Sequence, residues 1–355
     1  MTGATGGPAA VEGGAREELR DAITLRAALI MLGVLLLQLG FALSYMGAFH
    51  APRPHDVPIT LVAPPEMRGD LAARLDALPG DPLRVTAVAD AAEARARLLD
   101  RRTDAALLVA PDARLDTLLV ASAGGPSATT AATAVLQDVA RTQDREIQVR
   151  DLRPPSAGDS RGLSSFYLVL SWTIGGYLAA SALNMAAGSK RPTLHRTFVR
   201  LAAMIPYAFV SGIGGAVVVG LVLDCLPGAF WELVGIGTLV VFASGAVGVA
   251  LQSVAGTIGL GLTILIFTVL GNPSSGGVYP ASLLPPFWAA IGQALPPGAG
   301  TTVVRNTVYF DGHAITGALW ILGAWAFGGV VVAVLAAALR ARRRPRAVAT
   351  TAPAR

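Results

Sequence analysis

The chain has 355 residues, of which 53% are hydrophobic and only 14% are charged, and its mean hydropathy is +0.56. Soluble domains carry about 25% charged residues, so this composition argues against a soluble protein and favours an α-helical integral membrane protein. The formal net charge is +5, but the basic residues are not interleaved with aromatic residues, and we therefore expect no nucleic-acid partner.

The first predicted elements are a polar N-terminal segment and an apolar helix. Residues 1–21 are rich in Gly and Ala, and we expect them to be disordered and cytoplasmic. The apolar run Ala27–Phe49 is long enough to cross a hydrocarbon core about 30 Å thick. A cleaved signal peptide is the alternative, but its apolar part would be only about 7–15 residues long. We predict an uncleaved transmembrane anchor helix over residues 22–49.

The segment 50–162 has a different composition, with 14 basic and 16 acidic residues in mixed order. Its short apolar runs alternate with amphipathic stretches, which is typical of a small α/β domain. Asp90 is well placed to cap one of its helices. The pattern predicts strands over 59–62, 84–88, 105–110, 115–121 and 146–152, and helices over 66–78, 90–102 and 126–141. We expect this domain to be extracytoplasmic, between the first and second transmembrane helices.

Five further apolar stretches predict membrane-spanning helices, so that the expected total is about six. These stretches are 163–187, 201–223, 233–254, 257–270 and 315–339, of which the fourth is short. The run 283–295 is too short to span and contains two consecutive prolines, which favours a re-entrant or interfacial segment. Residues 163–340 are thus predicted to form a five-helix membrane domain.

The distribution of basic residues predicts the orientation of the chain in the membrane. A basic tail occupies residues 341–355, and the connection after the second predicted helix carries four basic residues without an acidic one: Lys190, Arg191, Arg196 and Arg200. With six crossings, both basic segments fall on the cytoplasmic side. We therefore expect a multi-pass protein of the cell membrane, with cytoplasmic termini and an extracytoplasmic segment 50–162.

The sequence offers no site for catalysis, a cofactor or a metal. A Walker-type ATPase needs a lysine in its phosphate loop, but the only lysine is Lys190, which lies outside any such motif. The Gly-x-Ser-x-Gly elbow of serine hydrolases is also missing. His50, His55 and Asp56 could contribute to a metal site, but no further ligands follow at a familiar spacing. We expect a protein that is not an enzyme.

Polar side chains are rare inside the predicted spans. Gln38, Asn184 and Gln252 are the main amides, and interhelical hydrogen bonds are the expected role of each. A proton-coupled transporter would require ionisable residues there, so this class is disfavoured. Glycines in the third and fourth spans predict either tight packing within the chain or a subunit interface. They are Gly212, Gly214, Gly215, Gly220, Gly235, Gly237, Gly245 and Gly248.

Two local motifs add to this arrangement. One is the re-entry sequence 161–167, which leads into residues 172–177, and the other is the Gly- and Pro-rich stretch 271–280, which continues into residues 284–288. Together with the order of one span, an α/β domain and five spans, they resemble the membrane subunits of type-2 ABC exporters. The branch with phage-infection-protein-like permeases is the most similar. There, a comparable stretch follows the fifth span and is followed by an arginine, here Arg305.

The resemblance implies a permease subunit of an ABC-type export system, energised by a separate ATPase subunit. The usual state of the family implies a homodimer, surrounded by membrane lipids. A structural motif is expected after the fifth helix: Pro273, Ser275, Gly276, Gly277, Pro280, Pro285 and Arg305. A cytoplasmic contact is expected at the four basic residues after the second helix. The alternative is a non-transporting membrane anchor whose extracytoplasmic domain binds an envelope component or a partner protein.

Overall fold

The computed structural model describes residues 24–111, 113–186 and 193–342. They form a five-stranded sheet with flanking helices and a bundle of long apolar helices. The predictions for residues 1–21 and for the tail beyond position 342 lie outside the described residues.

The first helix, α1, extends over Leu25–Phe49 and begins at Thr24, whose hydroxyl accepts a hydrogen bond from the Ala27 amide. Only 6% of its most apolar 18-residue stretch is buried. It packs mainly through its last turns, where the Ser44 hydroxyl donates to the Val269 carbonyl and Gly47 lies against the indole of Trp288. Most of α1 therefore presents an apolar surface that the described part of the chain does not cover.

The sheet has the strand order β2-β1-β3-β4-β5. β1 pairs in parallel with β2 and β3, β4 runs antiparallel to β3, and β5 is parallel to β4. The strands are β1 Val57–Val62, β2 Leu83–Val88, β3 Ala105–Leu108, β4 Leu115–Val120 and β5 Glu146–Asp151. The helices between them are α2 Pro65–Asp76, α3 Ala91–Leu99 and α4 Pro126–Thr142. These bounds lie within a few residues of the predicted ones.

The two faces of the sheet are covered differently. Leu75 of α2 and Leu136 of α4 pack on the face that carries Ile59. The opposite face is covered by α3, whose N-terminus is capped as predicted, because the Asp90 carboxylate accepts from the Glu93 amide at 2.8 Å. This second core is completed by Phe310, which belongs to the helical bundle.

The bundle consists of long helices and three shorter ones. They are α5 Ser164–Ala186, α6 Leu194–Val217, α7 Phe230–Ala255, α8 Ile258–Ile264, α9 Pro286–Gly292, α10 Pro296–Tyr309 and α11 Thr316–Arg342. α6 continues as a π-helical segment over Val218–Val222, and α8 does so over Leu265–Leu270. Among the described residues, five helices are long and apolar enough to cross a membrane: α1, α5, α6 with its extension, α7 and α11.

Two predicted spans differ from the observed helices. The stretch 257–270 forms the shorter apolar helix Ile258–Leu270 rather than one of span length, so the described chain has five helices of span length where about six were predicted. α6 begins at Leu194 instead of residue 201, because the Thr193 hydroxyl caps it by accepting from the Arg196 amide. Hydropathy identifies the apolar part of a helix and misses a polar first turn.

Helix α7 lies at the centre of the bundle, and 78% of its most apolar 18-residue stretch is buried. The indole of Trp172 on α5 fills the crossing with α6 and α7, and its Nε1 donates to the Ser211 carbonyl at 3.1 Å. A Cβ atom on Gly215 or Gly237 would lie within 2.5 Å of this ring. Five of the eight glycines thus pack within the chain, namely Gly212, Gly215, Gly237, Gly245 and Gly248, which supports the first of the two interpretations for them.

A Gly237→Leu substitution is expected to disrupt this crossing, because its Cβ would lie 2.5 Å from Trp172 and 3.0 Å from the Gly212 Cα. Overpacking typically costs about 1–3 kcal/mol. Gly235→Leu is the matched control on the same helix, since a Cβ at Gly235 meets no described atom within 4 Å. Size-exclusion profiles after detergent extraction should show aggregation of the first variant only. Equal profiles would contradict the role of this contact.

The two ends of the bundle differ in their neighbours. At one end, the segments that flank the sheet contact the connections after the two π-helical segments: the Ser156 hydroxyl donates to the Cys225 carbonyl, and the His55 amide donates to the Ser282 carbonyl. At the other end, the Arg340 guanidinium donates to the Val254 carbonyl. One of the predicted interhelical hydrogen bonds is observed: the side-chain amide of Gln252 on α7 donates to the hydroxyl of Ser181 on α5 at 3.0 Å.

Candidate functional site

The loop 271–285 lies between the bundle and the sheet. Its first part folds on itself, because the Ser275 hydroxyl donates to the Asn272 carbonyl at 2.7 Å and accepts from the Gly277 amide at 3.2 Å. Its next part reaches the sheet, where the Val278 carbonyl accepts from the hydroxyl of Ser127 on α4 at 2.9 Å. The loop is therefore an ordered connection between the two parts of the molecule.

Arg305 of α10 holds this loop from the bundle side. Its Nη1 donates to the Gly276 carbonyl at 3.0 Å and its Nη2 to the Gly277 carbonyl at 3.3 Å. The side chain is buried, and its Nε has no partner among the described residues. Burial lowers the pKa of Arg305 to about 10, and the positive charge of Arg101 acts in the same direction. The guanidinium therefore remains charged at neutral pH.

The two glycines of the loop are required by its geometry. Gly276 has a φ of 76°, in the left-handed region that favours glycine. A Cβ on Gly277 would lie 2.4 Å from the ring of Phe166. Because Phe166 belongs to the re-entry sequence 161–167, the two motifs that carry the resemblance touch each other at this point.

The prolines of the predicted motif do not meet the arginine through hydrogen bonds. Pro273 is buried within the loop, Pro280 precedes the short 3₁₀ turn Ala281–Leu283, and Pro285 immediately precedes α9. A proline at the start of a helix fixes its backbone without the loss of a hydrogen bond. The predicted re-entrant segment 283–295 thus consists of the end of a turn and a short helix.

A group of charged side chains from the sheet faces Arg305. The Nη1 of Arg101 lies 3.7 Å from the carboxylate of Asp104. The Nη2 of Arg101 donates to the Gly124 carbonyl. Burial raises the pKa of Asp104, and the charges of Arg101 and Arg305 oppose this shift. The half-buried Asp104 carboxylate and Arg101 guanidinium thus lie at the junction together with the buried guanidinium of Arg305.

A second carboxylate, Asp159, joins the group from the linker that precedes α5. One of its oxygens accepts from the Tyr309 hydroxyl at 2.9 Å, and the other accepts from the Ser164 amide at 2.8 Å at the start of α5. Burial is the largest cause that raises the pKa of Tyr309 to about 12, so this hydroxyl is a hydrogen-bond donor at neutral pH. Asp159 therefore ties the end of α10 to the beginning of α5.

The residue after Tyr309 anchors the sheet. Phe310 is 1% exposed and packs against Leu98 of α3 and against Ala106 and Leu119 of the sheet. The carbon of the Arg101 guanidinium lies 4.7 Å from the centre of its ring, a cation–π geometry. Two polar contacts flank it: a salt bridge from Arg153 to Asp311 at 3.2 Å, and the His313 Nε2 at 3.6 Å from the Asp100 carboxylate. We call the segment 305–313 the anchor segment.

The residues predicted to form a cytoplasmic contact lie far from this junction in the fold. Arg196 and Arg200 belong to the first turns of α6, at the end of the bundle opposite the sheet, and Arg200 is buried. Lys190 and Arg191 lie outside the described residues. The described members of the two predicted groups thus lie at opposite ends of the molecule.

Sequence reasoning found Arg305 and its two glycines but missed Arg101, Asp104, Asp159 and Phe310. Charged residues at helix ends and in linkers are ordinarily exposed, and nothing in the local pattern indicates that Asp159 is buried and that Arg101 and Asp104 are half-buried. In the part of the chain that the structure describes, no three histidine, cysteine or carboxylate side chains converge as metal ligands would.

Comparison with protein-family models identifies a match. The family described as ABC-2 family transporter protein matches residues 26–337, nearly the whole chain. No curated protein matches. The matched region contains the sheet, the anchor segment and nearly the full length of the five helices of span length. The chain therefore belongs to the ABC-2 family of transporter proteins and is a multi-pass membrane permease.

Proposed function

We propose that the chain is the permease subunit of an ABC-type export system that a separate ATPase subunit energises. The family match over residues 26–337 is the observation that carries this proposal. ABC-2 permeases normally work with a separate ATPase, and the sequence itself lacks a phosphate-loop lysine. We further infer that the relevant branch is the phage-infection-protein-like one, on the basis of the two motifs that meet at Phe166 and Gly277.

The proposed orientation has the sheet outside the cell and both termini in the cytoplasm. Its support is the separation of charges, since Arg196, Arg200, Arg340 and Arg342 all lie at the end of the bundle opposite the sheet. Basic residues concentrate on the cytoplasmic side of membrane proteins. In this orientation, α8 with its π-helical extension is a sixth, short crossing, because it returns the chain to the sheet end.

The anchor segment is proposed to couple the outer domain to the membrane helices. Arg305 binds the loop 271–285, and Phe310 is buried in the sheet, so a displacement of the sheet moves α10 and this loop together. The four basic residues Lys190, Arg191, Arg196 and Arg200 are proposed as the contact for the ATPase; of these, Arg196 and Arg200 lie at the end of the bundle opposite the sheet.

A homodimer is proposed to form through α1. This helix leaves an apolar surface uncovered, and Gln38 lies on it with its amide exposed. A polar amide that faces hydrocarbon is unfavourable, and it is commonly satisfied by a hydrogen bond to a neighbouring helix. A second copy of α1 would supply the same amide across a two-fold axis.

A Gln38→Leu substitution is expected to weaken this dimer by a factor of about 3, since an interhelical hydrogen bond in a membrane averages about 0.6 kcal/mol. The measurement is the dimer fraction by single-molecule photobleaching in liposomes over a range of protein densities. Asn184→Leu removes an amide from α5 and is the control. A dimer fraction that is unchanged in the Gln38 variant would argue against an α1 interface.

The test of the export proposal is purification of the tagged protein from its native membrane at endogenous expression, followed by mass spectrometry. A stoichiometric ABC ATPase that is missing from an untagged control would support the proposal. Recovery with envelope proteins and without an ATPase would instead favour the membrane anchor as its function.

A further inference from the structure

A narrow apolar groove runs along α11, between this helix and α7. Its part nearer the sheet has a volume of about 360 Å³ and is lined by Leu251 of α7, Ile266 after α8, and Trp325 and Gly328 of α11. The second part, of about 410 Å³, lies between Val254 and Leu339. Val332 lines both parts, so they follow one another along the outer side of α11, and we treat them as one groove.

The groove is apolar along its length but has a cation at one end. Arg340 lines the end that is opposite the sheet. Its Nη2 donates to the Val254 carbonyl at 2.8 Å, and this contact holds the guanidinium across the mouth of the groove. An arginine has five N–H donors, so this one bond leaves donors for a ligand. An apolar groove that ends at a positioned guanidinium is complementary to an amphipathic anion.

The length of the groove matches one leaflet of a bilayer. From Trp325 to Arg340 the helix rises about 22 Å at 1.5 Å per residue. Half of a bilayer, with its headgroup region, is about 20–22 Å deep. A phosphate beside Arg340 would therefore place the end of its acyl chain beside Trp325.

We propose that this groove binds one acyl chain of an anionic phospholipid, with the headgroup phosphate on the Arg340 guanidinium. A second copy of the chain is the competing occupant of an apolar face, but it would have to cover a guanidinium, and none of the residues that line the groove is acidic. The proposal does not depend on transport, on the ATPase or on the dimer through α1.

The test uses quenching of Trp325 fluorescence by brominated lipids in liposomes of phosphatidylcholine that contain a minor fraction of phosphatidylglycerol. Bromine is placed on the phosphatidylglycerol in one set and on an equal amount of phosphatidylcholine in the other. Comparison with Trp325→Phe isolates the contribution of this indole. An anionic lipid held by one arginine should quench Trp325 about fivefold more effectively than phosphatidylcholine does.

Two matched pairs of variants locate the binding site. Gly328→Leu fills the groove, whereas Gly323→Leu makes the same change on the same helix outside it, and a Cβ at either position meets no described atom within 4 Å. Arg340→Gln removes the guanidinium at the mouth, whereas Arg342→Gln removes one charge two residues further along. The preference for phosphatidylglycerol should be lost in the first member of each pair and retained in the second.

Three results would overturn the proposal. Equal quenching by both brominated lipids in the wild type would mean that the groove does not select a headgroup. An absence of Trp325 quenching would mean that protein covers the groove. A preference that survives in Gly328→Leu, or that Arg342→Gln abolishes as completely as Arg340→Gln, would place the lipid elsewhere on the surface.

Discussion

An Arg305→Met variant is expected to lose about 3 kcal/mol of stability, because each buried acceptor without a partner costs about 1–3 kcal/mol. Methionine would leave the carbonyls of Gly276 and Gly277 without their guanidinium donors. It would also remove a positive charge that opposes the raised pKa of Asp104. Removal of the cost of burying a guanidinium offsets part of this loss but restores no hydrogen bond.

The measurement is the temperature of aggregation in detergent at a fixed heating rate, since membrane proteins often unfold irreversibly. Arg305→Lys is expected to be intermediate, because an ammonium group keeps the charge but lacks the planar fork that reaches two carbonyls. Arg150→Met on the exposed face of β5 is the matched control and should behave like the wild type. Similar temperatures for Arg305→Met and Arg150→Met would show that the loop does not depend on Arg305.

A Phe310→Ala variant is expected to loosen the sheet from the bundle. Truncation of a buried phenylalanine costs about 3–5 kcal/mol, and here the cavity would open between α3 and the sheet. The amides of Ala91–Leu99 should exchange with deuterium at least about tenfold faster. The amides of Pro65–Asp76 should keep their rates, because α2 covers the opposite face.

Hydrogen exchange followed by mass spectrometry resolves the two helices in one sample, so α2 is an internal control for global unfolding. Phe287→Ala removes the same ring from a position that is 53% exposed, and it should leave both helices unchanged. Faster exchange in α2 and α3 alike would indicate general destabilisation and would contradict a specific anchoring role of Phe310.

The sheet could be predicted closely because its signals are local. Alternation of apolar runs with amphipathic stretches marks each strand and helix, and Asp90 marks a helix start by its own hydrogen bond to the Glu93 amide. The strand order could not be read in the same way, since the antiparallel pairing of β4 with β3 depends on contacts between distant residues.

The long membrane helices could be predicted from the sequence better than the short one. Long apolar runs identify α1, α5, α7 and α11 because lipid and protein interior both demand apolar side chains. The stretch 257–270 was counted among the spans although it is short, since composition alone does not distinguish a span from an apolar helix such as Ile258–Leu270.

The junction shows the limit of reasoning from sequence. Arg305, Gly276 and Gly277 were grouped through a family resemblance, and the hydrogen bonds between them give that grouping a physical basis. Asp159 and Arg101 lie far from each other in the sequence and farther still from Arg305, and only the tertiary structure brings their charges together. A local sequence pattern carries no information on which distant side chains the fold brings together.

The central position of α7 has a consequence for biosynthesis. Val240 and Val241 of this helix share a core with Leu322 of α11, yet α11 is the last of the described helices to leave the ribosome. Until then, lipid tails must solvate the side of α7 that α11 later covers, and final assembly exchanges these tails for protein contacts. A ribosome stalled before residue 316 would therefore hold an inserted but incomplete bundle, in which the side of α7 that α11 later covers faces lipid.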